Sequence, residues 1–136
     1  MQVKEQQETV KNSIVKNQIF ILDDDESVRR SLKLLMISYG FAVDVFSSAE
    51  EFFDKVPNSI SGCLILDIHL MKLDGWGTMQ RLTETGSNRP VIVISADKDE
   101  TFKEKALKAG AVGYLQKPFE DHYLLHMVNQ VFKKAA

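Results

Sequence analysis

Residues 18–25 read QIFILDDD, and residues 62–67 read GCLILD. Each stretch is a short apolar run that ends in carboxylates, a pattern typical of a strand buried on both faces of a sheet. If the two strands are parallel neighbours, Asp23, Asp24 and Asp67 meet at one edge of that sheet. Like charges at close range repel one another, so such a group of acids requires a cation. A site made only of carboxylate oxygens suits a hard divalent ion such as Mg²⁺.

The rest of the chain alternates between apolar runs of strand length and stretches with helical spacing of apolar residues. Strands are predicted at 18–22, 41–46, 62–66, 91–94 and 113–115, and the third and fourth helices at about 76–83 and 98–109. Five alternating strands and helices indicate an α/β fold, a flavodoxin-like (βα)5 three-layer sandwich with a parallel five-stranded sheet. In the strand order 2-1-3-4-5, ligands bind beyond the carboxyl ends of strands one and three. The fold and the carboxylates therefore predict the same site.

The length of 136 residues fits one domain. We predict a polar and mobile N-terminal extension over residues 1–17 and a folded domain over residues 18–134. The net charge of −2 does not indicate a surface that contacts nucleic acid. Cys63 is the single cysteine and lies in an apolar run, so we expect a buried side chain rather than a reactive thiol. No stretch is apolar enough to predict a membrane span or a signal sequence, and we expect a cytoplasmic location.

Two more polar residues stand at predicted strand ends, Ser95 after strand four and Lys117 after strand five. A carboxylate-bound Mg²⁺, a hydroxyl and an ammonium group can together hold a tetrahedral phosphoryl group. An aspartate in such a site can act as a nucleophile and form an acyl phosphate. The residues at this edge therefore favour phosphoryl chemistry. Asp74 and Gly75 are interpreted as turn residues in the loop after strand three.

Several motifs resemble the receiver domain of bacterial two-component response regulators. They occur in order as ILDDD at 21–25, LILD at 64–67, DG at 74–75, SA at 95–96 and KPF at 117–119. Three further stretches resemble the subgroup whose members often carry a helix-turn-helix output domain, namely GFAV at 40–43, SAE at 48–50 and AGA at 109–111. The resemblance covers about residues 18–132. It implies a phosphoacceptor domain in a phosphorelay, which is not an enzyme in the usual sense although it assists its own phosphorylation and dephosphorylation.

The resemblance also implies roles for individual residues at the acidic edge. Asp67 would accept a phosphoryl group from a phosphohistidine of a sensor histidine kinase. Asp24 and Asp67 would ligate Mg²⁺ through their side chains, His69 through its backbone carbonyl, and Asp23 through a metal-bound water. Asp25 is interpreted separately, as a helix cap or a solvated residue.

The remaining implied roles concern a switch. Lys117 would pair with Asp67 and then with a phosphoryl oxygen, across a cis bond to Pro118. Ser95 would move toward the phosphate and Tyr114 would turn inward behind it, although Tyr114 is equally well interpreted as a core residue. The shift would alter the surface of the fourth helix, fifth strand and fifth helix, through which a homodimer can form.

Two alternatives remain open from the sequence. Leu70 and Met71 replace the Met-Pro pair that is usual in the family, which favours a looser loop and leaves open a pseudo-receiver that does not use phosphate. The second alternative is a phosphatase of the haloacid-dehalogenase type, in which Asp23 would be the nucleophile and Asp25 the acid. That alternative gives Asp67 no role. Trp76 is interpreted as a packing residue of the third helix.

Overall fold

The computed structural model describes residues 16–69 and 74–135. The strands are β1 (Gln18–Leu22), β2 (Ala42–Phe46), β3 (Cys63–Asp67), β4 (Val91–Ser95) and β5 (Gly113–Gln116). The helices are α1 (Glu26–Ser38), α2 (Ala49–Lys55), α3 (Gly75–Glu84), α4 (Thr101–Lys108) and α5 (Asp121–Ala135). The predicted N-terminal extension falls outside the described residues except for Lys16 and Asn17, and so does the atypical pair Leu70 and Met71.

The five strands form one parallel sheet in the order β2-β1-β3-β4-β5, which confirms the predicted topology. Alternate residues of each strand face opposite layers. Phe20 and Leu22 of β1 belong to the core that includes Phe52 of α2, whereas Ile19 and Ile21 belong to the core that includes Met36 of α1. The sheet is therefore covered by helices on both faces, as its apolar runs predict.

The strand register brings the polar residues together. Leu22 lies beside Leu66, so Asp23 and Asp67 follow at the same level of the sheet. β3 and β4 each end one residue later than predicted. Asp67 and Ser95 are therefore the last residues of their strands rather than the first residues after them. This difference leaves both residues inside the backbone ladder, where they are positioned more firmly than a loop residue would be.

The fourth helix begins at Thr101 rather than at the predicted Lys98. Asp97 Oδ1 accepts a hydrogen bond from the backbone N–H of Asp99 at 2.9 Å. Asp99 Oδ1 in turn accepts from the backbone N–H of Thr101 at 2.9 Å and from its hydroxyl at 2.7 Å. Such side-chain to backbone bonds compete with helical hydrogen bonds, so they delay the start of α4.

Cys63 is fully buried in the middle of the sheet, which confirms the interpretation of its side chain as part of the core. Burial raises the pKa of the Cys63 thiol to about 12, so the thiolate form that reacts is not populated at neutral pH. Among the helices within 16–69 and 74–135, none combines the length and the apolar character needed to cross a membrane.

Candidate functional site

Three carboxylates converge at the carboxyl edge of the sheet. One oxygen atom each from Asp23, Asp24 and Asp67 lies within 4.8 Å of the other two. Asp23 and Asp67 are buried, whereas Asp24 is exposed to solvent. The predicted grouping of acids at the ends of β1 and β3 is therefore present, with one open side through which a ligand can enter.

Asp23 is held through both its backbone and its side chain. Its backbone N–H donates to Phe46 O at 3.3 Å. Its Oδ1 accepts from the backbone N–H of Asp25 at 3.0 Å, and its Oδ2 accepts from Lys117 Nζ at 3.0 Å. Burial raises the pKa of Asp23, and the nearby charge of Asp67 raises it further. The bonds from Asp25 and Lys117 oppose this effect without cancelling it.

Lys117 lies between the two buried acids. Its Nζ is 3.0 Å from Asp23 Oδ2 and 3.7 Å from Asp67 Oδ2. The ion pair with Asp67 agrees with the expectation from sequence, but Asp23 is the nearer partner, which the sequence did not indicate. The Lys117 backbone N–H donates to Ser95 O at 2.7 Å, which continues the pairing of β5 with β4 by one residue. The bond from Lys117 to Pro118 is cis, as the resemblance implies.

The described residues on either side of positions 70–73 are held by hydrogen bonds from backbone N–H groups. Asp67 Oδ1 accepts a hydrogen bond from the backbone N–H of His69 at 3.0 Å. The backbone N–H of Gly75 donates to Ile68 O at 2.9 Å, and a Cβ atom at Gly75 would overlap the Ile68 backbone. Close approach of the two backbones thus requires glycine at position 75.

The interpretation of Asp74 and Gly75 as turn residues was wrong. Asp74 is the N-cap of α3, and its Oδ1 accepts from the backbone N–H of Gly77 at 2.8 Å. Gly75 is the first helical residue. An aspartate followed by glycine satisfies turn and cap patterns equally well in sequence, and the hydrogen bond to Gly77 identifies the cap.

His69 lies at the rim of the site with its side chain exposed. Its Nε2 is 3.9 Å from Asp97 Oδ2, and its ring centroid is 6.0 Å from that of Phe102. Trp76 packs edge-on against Phe102 at 5.7 Å, and Lys105 Nζ lies 4.2 Å from a Trp76 ring centroid. The predicted packing role of Trp76 is confirmed, since its contacts join α3 to α4.

Ser95 ends β4, the strand next to β3, and Tyr114 lies in the adjacent strand β5. Ser95 is fully buried, and its Oγ accepts from the backbone N–H of Asp97 at 3.0 Å. The Tyr114 ring packs against the core on one face of the sheet. Its hydroxyl is buried and has no hydrogen-bond partner among the described residues. A buried hydroxyl without a partner carries a cost in free energy.

Residues 19–129 match the family of the response regulator receiver domain. The chain belongs to this family. It is 41% identical over 117 residues to the response regulator protein TodT of Pseudomonas putida, covering 86% of this chain and 52% of TodT. It is 35% identical over 120 residues to the transcriptional regulatory protein FixJ of Bradyrhizobium diazoefficiens, covering 88% of this chain and 58% of FixJ. The receiver domain therefore spans little more than half the length of these relatives.

Solved structures agree with the family assignment. Full-length FixJ from B. japonicum superimposes with a TM-score of 0.82 at 35% identity, covering 89% of this chain and 60% of that chain. A response regulator receiver protein from Burkholderia phymatum superimposes with a TM-score of 0.76 at 37% identity, covering 87% of this chain and 96% of that one. The matches to longer transcriptional regulators agree with the resemblance to the subgroup that carries output domains.

The receiver domain contains two site features that the sequence did not reveal. Gly75 supports the segment after Asp67, and the pattern of a cap residue before a helical periodicity offered a signal for it. Arg29, on α1, donates from Nη1 to the backbone carbonyl of Asp23 at 2.7 Å. The periodic patterns of helices and strands do not predict this bond, which joins a residue of α1 to the backbone just after β1.

The role of Asp25 differs from that of the neighbouring acids, as the sequence predicts. It is the N-cap of α1, and its Oδ1 accepts from the backbone N–H groups of Ser27 at 2.9 Å and Val28 at 3.3 Å. The predicted capping role is confirmed. Its carboxylate is engaged by the helix, and it is absent from the group of acids that converge at the sheet edge.

Proposed function

We propose that this receiver domain accepts a phosphoryl group on Asp67 from a phosphohistidine of a sensor histidine kinase, in a reaction that requires Mg²⁺. One observation carries the proposal. Carboxylate oxygens of Asp23, Asp24 and Asp67 lie within 4.8 Å of one another, and Lys117 Nζ lies 3.7 Å from Asp67. This arrangement supports roles for Asp67 as nucleophile, for the three carboxylates in holding a cation, and for Lys117 in pairing with a phosphoryl oxygen.

The acidic cluster fits Mg²⁺ by the chemistry of its donors. The ion prefers oxygen ligands and keeps several waters, which requires a side open to solvent. Exposed Asp24 and buried Asp67 would ligate it directly, together with the backbone carbonyl of His69. Both oxygens of Asp23 already accept hydrogen bonds, which supports contact through water instead. When bound, Mg²⁺ supplies neutralisation of the carboxylates and of the charge on the transferred group.

The proposed transfer is a substitution at phosphorus. An oxygen of the Asp67 carboxylate attacks the phosphorus atom, an O–P bond forms, and the P–N bond to the kinase histidine breaks. The bonding electrons pass to the imidazole nitrogen, and the product on Asp67 is an acyl phosphate. Lys117 neutralises charge on a phosphoryl oxygen as a point charge, and the buried Ser95 hydroxyl donates to another after a short movement.

The switch that we propose uses residues next to the site. Ser95 now accepts a bond from the Asp97 backbone, and it would exchange this bond for one to a phosphoryl oxygen while Tyr114 turns inward. The Tyr114 ring packs against the core, but its hydroxyl makes no hydrogen bond within the described residues, so the ring can turn without breaking one. A change at these two residues shifts the balance between two conformations of the surface formed by α4, β5 and α5.

The test uses a small acyl phosphate, such as acetyl phosphate, and Mg²⁺ with the purified protein. We expect stoichiometric labelling of the wild type, measured by intact mass spectrometry, and no labelling of Asp67→Asn. Asp54→Asn removes an exposed carboxylate on α2 and serves as the matched control, which should label like the wild type. Equal labelling of Asp67→Asn and the wild type would disprove the acceptor assignment.

Labelling with and without Mg²⁺, together with an assay of phosphomonoester hydrolysis, separates the alternatives. A pseudo-receiver would give no labelling with or without Mg²⁺. A phosphatase of the haloacid-dehalogenase type would instead turn over a phosphomonoester steadily. We do not favour that second activity, because the acid it requires at Asp25 caps α1.

The domain limits and partners also remain proposals. We propose that the receiver domain extends over residues 18–134 and that residues 1–17 precede it as an extension. The partners would be the sensor histidine kinase and a second copy bound through α4, β5 and α5. Nucleic acid contact is not proposed for this domain.

A further inference from the structure

Arg29 makes an unusual bond beside the acidic cluster. Its side chain is half-buried, and Nη1 donates to the backbone carbonyl of Asp23 at 2.7 Å. Within residues 16–69 and 74–135, the ion pairs do not include Arg29, whereas its neighbour Arg30 pairs with Glu26 at 3.1 Å on the exposed side of α1. A guanidinium group next to several acids thus bonds to a carbonyl rather than to a carboxylate.

The carbonyl that Arg29 holds belongs to the peptide unit joining Asp23 to Asp24. A peptide unit is planar, so an anchored oxygen fixes the direction in which the Asp24 N–H and Cα leave the strand. The N–H and the two carboxylate oxygens of Asp23 are bonded to Phe46, Asp25 and Lys117. Arg29 therefore controls the remaining rotation, the one that carries Asp24 toward or away from Asp67.

Asp24 has little else to position it. Its carboxylate is exposed, and within the described residues it makes no side-chain hydrogen bond. Its place within 4.8 Å of the other two carboxylate oxygens depends on the backbone that carries it. The anchors on that backbone are the Asp23 carbonyl, held by Arg29, and the Asp25 N–H, which donates to Asp23 Oδ1.

We infer that Arg29 is a positioning residue for divalent-cation binding, acting through the Asp23–Asp24 peptide unit. This inference rests on the proposed function, since it concerns the same cation site. The direction in which Mg²⁺ affinity changes on substitution of Arg29 distinguishes an effect of position from an effect of charge. A positive charge near a cation site weakens cation binding, so removal of that charge alone would tighten the site. Loss of position has the opposite effect, because a misplaced ligand no longer meets the ion.

The experiment compares Mg²⁺ affinity by isothermal titration calorimetry for the wild type, Arg29→Gln, Arg29→Lys and the control Arg30→Gln. Arg29→Lys keeps the charge and loses the guanidinium geometry, so it isolates position from charge. We expect Mg²⁺ to bind about tenfold more weakly to Arg29→Gln and measurably more weakly to Arg29→Lys. Arg30→Gln removes the same charge one residue away and should bind like the wild type.

Thermal unfolding of each variant gives a second readout. If Arg29 serves only the stability of the fold, the melting temperature falls while the Mg²⁺ affinity of the folded variants stays unchanged, and the inference is overturned. Tighter Mg²⁺ binding by Arg29→Gln would also overturn it, in favour of a purely electrostatic effect. A wild type that binds Mg²⁺ and labels on Asp67 while both Arg29 variants bind normally refutes this inference alone. A wild type that neither binds nor labels refutes the proposed function and this inference with it.

Discussion

At the scale of the residue, Asp23 is a carboxylate whose negative charge is buried at an energetic cost. The side chain is fully buried beside the carboxylate of Asp67, and one ammonium group, that of Lys117, lies 3.0 Å from one and 3.7 Å from the other. Two buried anions share one cation, so the charge is only partly neutralised. A divalent ion bound on the side of exposed Asp24 would complete the compensation, as the proposed function requires.

The raised pKa of Asp23 predicts a dependence of stability on pH. Since the folded state holds the proton more tightly than the unfolded state, ionisation of Asp23 opposes folding. This penalty is absent below the unfolded value of 3.8 and is complete above the folded pKa. Without Mg²⁺ at pH 7, we expect Asp23→Asn to have a higher free energy of unfolding than the wild type, measured by urea denaturation.

The advantage of Asp23→Asn should disappear as the pH falls toward 3.8. Saturating Mg²⁺ should also reduce it, because the ion stabilises the wild type by binding its folded state. A lower stability of Asp23→Asn at pH 7 without Mg²⁺ would show that the bond from Lys117 outweighs the cost of burial.

At the scale of the element, the junction of β1 and α1 gives adjacent acids different tasks. Asp24 belongs to the group of converging carboxylates, whereas Asp25 accepts hydrogen bonds from N–H groups in the first turn of α1. The strand ends, the chain turns, and the helix begins within three residues, so consecutive side chains leave in different directions. Three similar residues in sequence therefore have three separate environments.

A matched pair of substitutions separates two of these tasks. Asparagine caps a helix about as well as aspartate, so Asp25→Asn keeps the cap and removes one exposed charge. We expect its Mg²⁺ affinity to change by less than about twofold, since an exposed charge is screened by salt. Asp24→Asn loses a proposed ligand, and its affinity should fall by more than about tenfold.

Calorimetry of the two variants, under the same conditions and with unfolding curves for each, checks this expectation. Equal losses of Mg²⁺ affinity would contradict the separation of roles. It would mean that the net charge of the junction, rather than the placement of Asp24, governs cation binding.

At the scale of the whole molecule, the acidic cluster lies at the ends of β1 and β3, and the proposed output surface includes β5 of the same sheet. The ring of Phe102 on α4 contacts both Trp76 of α3 and His69 beside the site. Leu107 on α4 and Val112 before β5 are exposed apolar residues on the surface that we propose for a homodimer. If Asp67 is phosphorylated as we propose, these packed side chains offer a route from the site to that surface.

The proposed homodimer can be tested with one charge in the apolar surface. We expect phosphorylated wild type to dimerise and Leu107→Lys to remain monomeric, measured by light scattering with acetyl phosphate and Mg²⁺ in the buffer. Leu34→Lys places the same charge at an exposed apolar position on α1 and is the control. Dimerisation of Leu107→Lys, or its loss in Leu34→Lys instead, would place the contact elsewhere. Both substitutions should change stability by less than about 0.5 kcal/mol.

The sequence by itself determined the parallel sheet and the residues at its carboxyl edge. An apolar run ending in a carboxylate is a local pattern, and the rules for parallel strands then bring Asp23, Asp24 and Asp67 together. The cap at Asp25 was readable for the same reason, because capping involves residues two and three positions away. The delayed start of α4 was not readable, since side-chain bonds within 97–101 replaced helical ones.

Only the tertiary structure decided how the edge is held in place. Lys117 lies nearer to Asp23 than to Asp67, Gly75 contacts Ile68 closely, and Arg29 reaches back to the Asp23 carbonyl. None of these contacts repeats with the period of a strand or a helix. They depend on where side chains and backbones from different elements meet once the sheet has formed, and chemistry that relies on ångström-scale placement depends on those same contacts.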